Sequence, residues 1–471
     1  MSDVPTWMLL PFGLFLTLIA LAPLFFAGWW GRHYQKVAFG LALFVVGFYL
    51  LELHDAARVE VALHDYISFI ALIGALYVVS GGIHITVKGE ATPMTNTVFL
   101  LVGALASNVI GTTGASMLLI RPWLRMNKYR VTGHHVVFFI FIISNVGGCL
   151  TPVGDPPLYL GYLKGIPFWW VTANCWPIWA LGLAILLAMF YKVDSGNYRR
   201  APKVVRERLA EHGDVFRFEG LSNLVFLAVV LGAAFLKHPP FARELLMVAA
   251  AAGSYFSTSK RIHESNDFSF GPIKEIAILF VGIFATMIPA LGWLETSAGG
   301  MGSPGPAAFY LGSGALSSVL DNAPTYLTFL SAILGSVIDH GALEQVRQFV
   351  ADHGSNLTAV GPHAPEVLGA ASAIRKYFAV RLAAGSVGET EIRVCYLLGS
   401  PALSKYVLAV SAGSVFFGAN TYIGNGPNFM VKAIADQQKV HTPNFLGYIA
   451  KYTLPFMAPM LIVVWWIFFR G

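Results

Sequence analysis

Charge is scarce in this chain. Only 12% of its 471 residues are Asp, Glu, Lys or Arg, against 56% hydrophobic residues and a mean hydropathy of +0.64. A soluble domain of this length needs a far more polar surface, so that class is excluded and a polytopic membrane protein is indicated. No soluble catalytic domain is evident, and an enzyme is not expected. Cysteine is nearly absent too: Cys149, Cys175 and Cys395 lie far apart without metal-ligand spacing, and are read as small buried residues. The net charge of +6 sits in particular loops, which makes it a topology signal and not a nucleic-acid surface.

What is abundant is apolar sequence of membrane-spanning length. Such runs fall at about 7–30, 36–52, 65–87, 134–152 and 167–191, then at about 219–236, 241–257, 272–294, 404–433 and 445–469. Trp7 to Trp30 is too long for a signal-peptide core and no small-residue cleavage pattern follows, so a retained span is expected. Two further runs, about 95–122 and 305–338, are apolar at both ends and polar at the centre, the pattern of a re-entrant hairpin with its tip at mid-membrane.

Lysine and arginine are retained on the cytoplasmic side of short loops. Arg121, Arg125, Lys128 and Arg130 follow the first hairpin, and Lys192, Arg199, Arg200, Lys203, Arg206, Arg208 and Arg217 fill a basic linker at about 192–218. With both loops inside, Arg32 and Lys36 also fall inside, and the N-terminus falls outside a cell (inner) membrane. The expected fold is all-α: two repeats, 1–191 and 219–471, each with three spans, a re-entrant hairpin, a broken span (134–157 and 404–433) and a final span. An odd number of crossings per half makes the repeats inverted. Gly103–Ser107 echoes Gly314–Ser318, and Gly154-Asp155-Pro156-Pro157 echoes Gly424-Asn425-Gly426-Pro427.

An insert at about 339–404 is mixed in charge. Its stretches 342–351 and 367–384 suit amphipathic helices of an extracytoplasmic cap, and Asn356-Leu357-Thr358 is a glycosylation sequon there. His54-Asp55 and His64-Asp65 are placed in one extracytoplasmic loop without tetrahedral metal spacing, and His134-His135 at an interfacial span start.

The two hairpin tips and the two broken spans form four polar breaks that topology brings together. Half-helix N-termini attract anions, while unwound carbonyls and half-helix C-termini coordinate cations such as Na⁺. Ser107, Asn108, Thr112 and Thr113 lie in the first tip, and Ser144, Asn145, Thr151 and Asp155 in the first broken span. Ser317, Ser318, Asp321, Asn322 and Thr325 lie in the second tip, and Asn420, Thr421 and Asn425 in the second broken span. Their neutral oxygens are candidate ligands beside two carboxylates, and embedded acids are functional hypotheses in themselves. Asp321 is favoured as the cation- and proton-exchanging acid, with Na⁺ held at Asn145, Asp321 and Asn420. Asp155 is placed nearer a membrane exit, where capping Pro156–Gly161 is the alternative. No lysine or arginine falls in any break, which tilts the substrate toward a cation.

The runs Ser144-Asn145-Val146-Gly147-Gly148, Thr151–Pro157 and Leu316–Pro324 resemble signatures of the ion transporter superfamily, particularly its NhaD-type sodium/proton antiporters and arsenite/citrate permeases. The resemblance implies a homodimer working by elevator-like alternating access. It also implies that Ser107, Asn108, Thr112, Thr113, Asn145, Ser317, Ser318, Asp321, Asn322 and Asn420 line the substrate and ion site. NhaD-type antiporters are expected to carry an Asp-Asn pair in both hairpins, whereas the first hairpin here reads Ile110-Gly111-Thr112-Thr113. The expected function is a secondary transporter in the lipid bilayer exchanging Na⁺ or Li⁺ for H⁺, without cofactor. The alternatives are a Na⁺-coupled symporter of a di- or tricarboxylate or related oxyanion, and a membrane enzyme or receptor using the insert.

Overall fold

In hydrocarbon every backbone N–H and C=O needs a partner within the chain, so apolar runs of this length resolve into helices. The computed structural model describes residues 4–88, 91–200, 215–236, 239–297, 304–353 and 364–470. The order begins α1 (Leu10–Phe25), α2 (Ala27–Leu51), α3 (Ala56–Gly81), β1 (His84–Lys88), α4 (Pro93–Met126), α5 (Gly133–Ile142), α6 (Pro156–Leu163) and α7 (Phe168–Arg200). It continues with β2 (Val215–Glu219), α8 (Asn223–Ala233), α9 (Ala242–Ser257), α10 (Lys260–Ser265), α11 (Gly271–Ser297), α12 (Pro306–Ser317) and α13 (Asn322–Ser336). The last elements are α14 (His340–His353), α15 (Pro365–Tyr377), α16 (Ala379–Ala383), α17 (Glu389–Gly399), α18 (Pro401–Phe417), α19 (Gly426–Gln437) and α20 (Phe445–Phe469). Among the described residues, nine helices are long and apolar enough to cross a membrane, or ten if α13 and the following bent segment are one span. The chain is a nearly all-helical, multi-pass membrane protein.

One two-stranded sheet amends the all-helical expectation. β1 and β2 pair antiparallel, with His84 opposite Glu219 and Lys88 opposite Val215. Ile85, Thr86, Val87, Val215, Phe216 and Phe218 favour extended backbone, and Gly220 ends the strand at φ 78°. The expected span 65–87 therefore stops at Gly81, where α3 ends.

Several boundaries also move. The expected loop around Arg32 and Lys36 is helical, because the first chain break falls at Phe26 (φ −137°, ψ 40°). His64 and Asp65 lie inside α3 and not in a loop, and Lys192, Arg199 and Arg200 extend α7. The spans expected at 219–236 and 241–257 are shorter than a bilayer core: α8 has 11 residues and α9 has 16, or about 17 and 24 Å against roughly 30 Å. Gly220 on one side and Pro239-Pro240 on the other stop them early. Lys203, Arg206, Arg208 and the 356–358 sequon lie outside the described residues.

In the insert, the helix expected at 342–351 is α14, while 367–384 breaks at Phe378 (φ −128°) into α15 and α16. Val346, Phe349, Val367, Ile374, Leu382 and Cys395 are buried in the same apolar core as the spans. The insert is packed onto the body, with α17 leading directly into α18.

Within α4 the chain turns at Gly111, whose φ of 76° and ψ of 154° are not helical. Asn96 and Asn127, near its two ends, exchange side-chain hydrogen bonds of 2.8 and 3.0 Å. A straight helix would hold them roughly 45 Å apart. The run folds back on itself, with its polar centre at the turn. α12 and α13 meet in the same way across Ser318–Asp321.

Candidate functional site

Two helical runs are interrupted beside these turns. Between α5 and α6 the chain forms a tight turn over Val146–Leu150, and between α18 and α19 another over Gly418–Asn420. Each interruption closes on itself through two glycines whose backbones nearly touch. A Cβ on Gly154 would sit 2.2 Å from the Gly148 carbonyl oxygen, and one on Gly424 2.5 Å from that of Gly418. Only glycine fits these positions, because the atom met is rigid backbone.

Side chains of the adjacent turn take up the groups freed by each interruption. Asn108 accepts the Leu150 N–H (2.9 Å) and donates to Gly147 O (2.6 Å), and the Thr151 hydroxyl donates to Asn108 O (2.6 Å). The other half repeats much of this: the Thr421 hydroxyl donates to Ser318 O (2.6 Å), and Asn420 Nδ2 donates to Ser318 Oγ (2.9 Å). Ser107 and Ser317 donate to Ile143 O (2.9 Å) and Ser414 O (2.6 Å). Thr151 and Thr421 each receive the N–H three residues on, Gly154 at 3.0 Å and Gly424 at 3.2 Å. These bonds align Asn108 with Ser318, one residue away from the register that the Gly103–Ser107 echo implies.

All four breaks then meet on one carboxylate. Asp155, fully buried, accepts from Thr112 Oγ1 (2.6 Å) and Asn425 Nδ2 (3.3 Å) on Oδ1, and from Asn322 Nδ2 (2.6 Å) on Oδ2. Thr112 follows the α4 turn, Asn322 opens α13 and Asn425 caps α19, so each donor comes from a different break. Asn425 also donates to Ser144 O (3.0 Å) and Asn145 Oδ1 (3.2 Å), while Asn145 Nδ2 donates to Asn428 Oδ1 (2.7 Å) and Ile140 O (2.9 Å). The N-termini of α6, α13, α19 and the second limb of α4 converge here. Pro156, Pro157, Pro324 and Pro427 fill first-turn positions where an N–H would lack a helical partner. A cavity of ≈ 20 Å³ borders the cluster, lined by Thr112, Thr113, Gly154 and Tyr159 among others, room for about one water-sized guest. The Oδ1 atoms of Asn322 and Asn420 and the Ser414 hydroxyl are buried without a protein partner among the described residues.

Asp155 sits at the crossing of the four breaks, whereas Asp321 is half-buried and caps α13, accepting the Ala323 N–H at 3.0 Å and, through its carbonyl, the Thr325 hydroxyl at 3.0 Å. Asn145, Asp321 and Asn420, grouped from the sequence as one Na⁺ site, are not hydrogen-bonded to one another among the described residues. Asn420 faces Ser318, and Ser144 pairs with Ser116 (2.7 Å). Asn428, which ends the second polar run, was the available signal for a further member of the cluster. Ser116 and Ser414 sit within apolar helices and left none.

A second buried cluster holds His134 and His135. Both rings are buried, with His134 Nε2 3.2 Å and His135 Nε2 3.1 Å from Asp194 Oδ1. Arg130 grips both Asp194 oxygens, and Asn96 donates to Oδ2 at 2.9 Å. Three ligand-capable groups here could suggest a metal. However, Thr132 N–H donates to His135 Nδ1 (3.2 Å), which leaves the ring proton on Nε2, and Arg130 already neutralises the acid. The cluster is an ion-pair hub tying both ends of folded α4 to α5 and α7.

A family model described as "Putative citrate transport" matches residues 1–469. The chain is also similar to an uncharacterized transporter of Mycobacterium tuberculosis, 24% identical over 301 residues, or 60% of this chain and 70% of that protein. An uncharacterized transporter of Mycobacterium bovis gives the same figures. A 46 kDa membrane protein of Mycobacterium leprae is 26% identical over 293 residues, 57% of this chain and 67% of its own length.

Proposed function

The chain belongs to the "Putative citrate transport" family, and from that premise we propose that this membrane transporter moves a small di- or tricarboxylate coupled to H⁺ or Na⁺ bound at Asp155. The observation that carries this reading is the buried Asp155 of one break, held by neutral donors from the other three. Four half-helix N-termini favour an anion. With no lysine or arginine in the breaks, a bare Asp155 would repel that anion at close range in a medium of low dielectric. The carboxylate substrate is therefore admitted only with Asp155 neutralised, which makes coupling obligatory. Asn322 suits both states: its Nδ2 donates to the ionised acid, and its unpartnered Oδ1 can accept from the protonated one after the amide rotates.

The wider reading follows from the same breaks. The folded runs 95–122 and 305–338 act as re-entrant hairpins, the halves as inverted repeats, and the protein as a homodimer with elevator-type alternating access. It sits in the inner membrane with its N-terminus outside. A second reading, Na⁺ (or Li⁺)/H⁺ exchange at the same acid, is favoured by the missing cationic side chains in the breaks.

Proteoliposomes separate the two. Radiolabelled citrate or succinate uptake that needs an inward H⁺ or Na⁺ gradient, and disappears in Asp155→Asn, is the expected result. Gradient-driven accumulation of carboxylate by Asp155→Asn equal to the wild type would sink the coupling. Dequenching of a pH-sensitive dye on adding Na⁺, without any carboxylate, would select the exchange reading.

A further inference from the structure

Away from the crossing, the insert roofs a second cavity of ≈ 430 Å³, lined from four directions by α3, the turn after α6, the start of α9, and the insert helices α16 and α17. Its size falls in the range of small-molecule pockets, about 300–1,000 Å³. Three ion pairs stand around it: Lys164–Asp65 at 2.7 Å, Arg243–Glu244 at 2.7 Å, and Arg381–Glu391. Lys164 lies between two lining residues, Leu163 and Gly165, and the other five line the cavity themselves.

The pairs are not symmetric toward solvent. The base is the more exposed partner each time: 30% against 12% for Lys164 and Asp65, 12% against 7% for Arg243 and Glu244, and 33% against 12% for Arg381 and Glu391. Two of the acids are also held from behind, Glu244 by the Ser68 hydroxyl (2.5 Å) and Glu391 by the Gly388 N–H (3.0 Å). Two of the acids are thus tied into the wall, each base is the partner with more accessible surface, and His64 joins them on the lining. Guanidinium and ammonium donors at three corners of a small chamber match a ligand with two or three carboxylates.

We propose that this chamber is an antechamber that captures a small di- or tricarboxylate through Lys164, Arg243 and Arg381 before it reaches the crossing. The proposal deepens the carboxylate reading and rests on it. The helix α6 links the two places: Asp155 stands at its N-cap and Lys164 follows its C-terminus, with the eight residues of the helix between them, about 12 Å along the axis. The division of labour is physical. Cationic side chains capture the anion where they are solvated, and helix ends and neutral amides hold it where a permanent ion pair would trap it.

The test uses the full chain in nanodiscs, titrated calorimetrically with citrate, with succinate, and with inorganic phosphate as an oxyanion of different shape. Arg381→Gln and Lys164→Gln are each expected to weaken citrate binding by tenfold or more. In proteoliposomes they should raise KM for citrate uptake by a similar factor with kcat within twofold, a split that simple misfolding would not give. The binding that depends on Arg381 and Lys164 should persist in Asp155→Asn, which separates this proposal from the coupling assigned to the crossing. Citrate affinity unchanged in both Gln variants overturns the antechamber and leaves the proposed transport standing. Phosphate binding as tight as citrate, or no carboxylate binding by the wild type, also overturns it.

Discussion

Asp155 is held by three donors of which none is charged, and this makes its isosteric amide informative. In Asp155→Asn the Thr112 hydroxyl keeps an acceptor, while the new NH₂ faces Asn322 Nδ2, donor against donor. Rotating the Asn322 amide relieves the clash, because its Oδ1 has no protein partner among the described residues. The variant should fold with a melting temperature within a few degrees of the wild type and lose gradient-driven uptake. Asn145→Ala behaves differently, since it removes the amide that donates to Asn428 Oδ1 and Ile140 O in a buried interior. Each buried polar group left unpaired costs about 1–3 kcal/mol, so a lowered melting temperature is expected alongside lost transport. A melting temperature unchanged by Asn145→Ala would remove this residue from the network. From the sequence both acids stood out as embedded charges, but their ranking rested on depth along a span. Depth could not show that Asn322 and Asn425, remote in sequence, would both turn toward Asp155.

The elements around the site are set by glycine at two close approaches. Gly154→Ala and Gly424→Ala would press a methyl group into a facing carbonyl oxygen at 2.2 and 2.5 Å. Backbone cannot yield there without opening the interruption, at a cost of roughly 1–3 kcal/mol or more. Both variants should insert in the membrane yet transport at less than a tenth of the wild-type rate; near-normal uptake by either would show that the interruption need not stay closed. The hub at Asp194 gives a test at the other end of α4. Arg130→Gln leaves a buried carboxylate without its counter-ion, and breaking such a pair from one side costs about 3–5 kcal/mol. Its melting temperature should fall well below that of Asp155→Asn. The polar breaks were legible because glycine, proline and asparagine interrupt apolar sequence there. The element ends were less so. β1 reads as the tail of an apolar span until β2, more than a hundred residues later, supplies its partner. Arg32 and Lys36 look like a loop although they sit on a continuous helix, since long basic side chains can reach outward from one.

At the scale of the whole molecule, the two halves of the chain share the crossing. Thr112, Ser144, Asn145 and Asp155 come from one half, and Asn322, Asn425 and Asn428 from the other, joined by direct hydrogen bonds. A ligand bound there stabilises both halves as one unit, by about 2.7 kcal/mol at a hundredfold excess over Kd. If the anion is admitted only with Asp155 neutralised, citrate and the coupling cation must each tighten the other's binding, by the same factor in both directions. The melting temperature of the wild type in detergent should therefore rise more with citrate and Na⁺ together, or with citrate at lower pH, than the separate shifts add up to. In Asp155→Asn the acid is permanently neutral, so citrate alone should give the full shift and added Na⁺ nothing more. Strictly additive shifts in the wild type would mean that cation and anion sites do not communicate, and would leave exchange of Na⁺ for H⁺ as the better account of the buried acid.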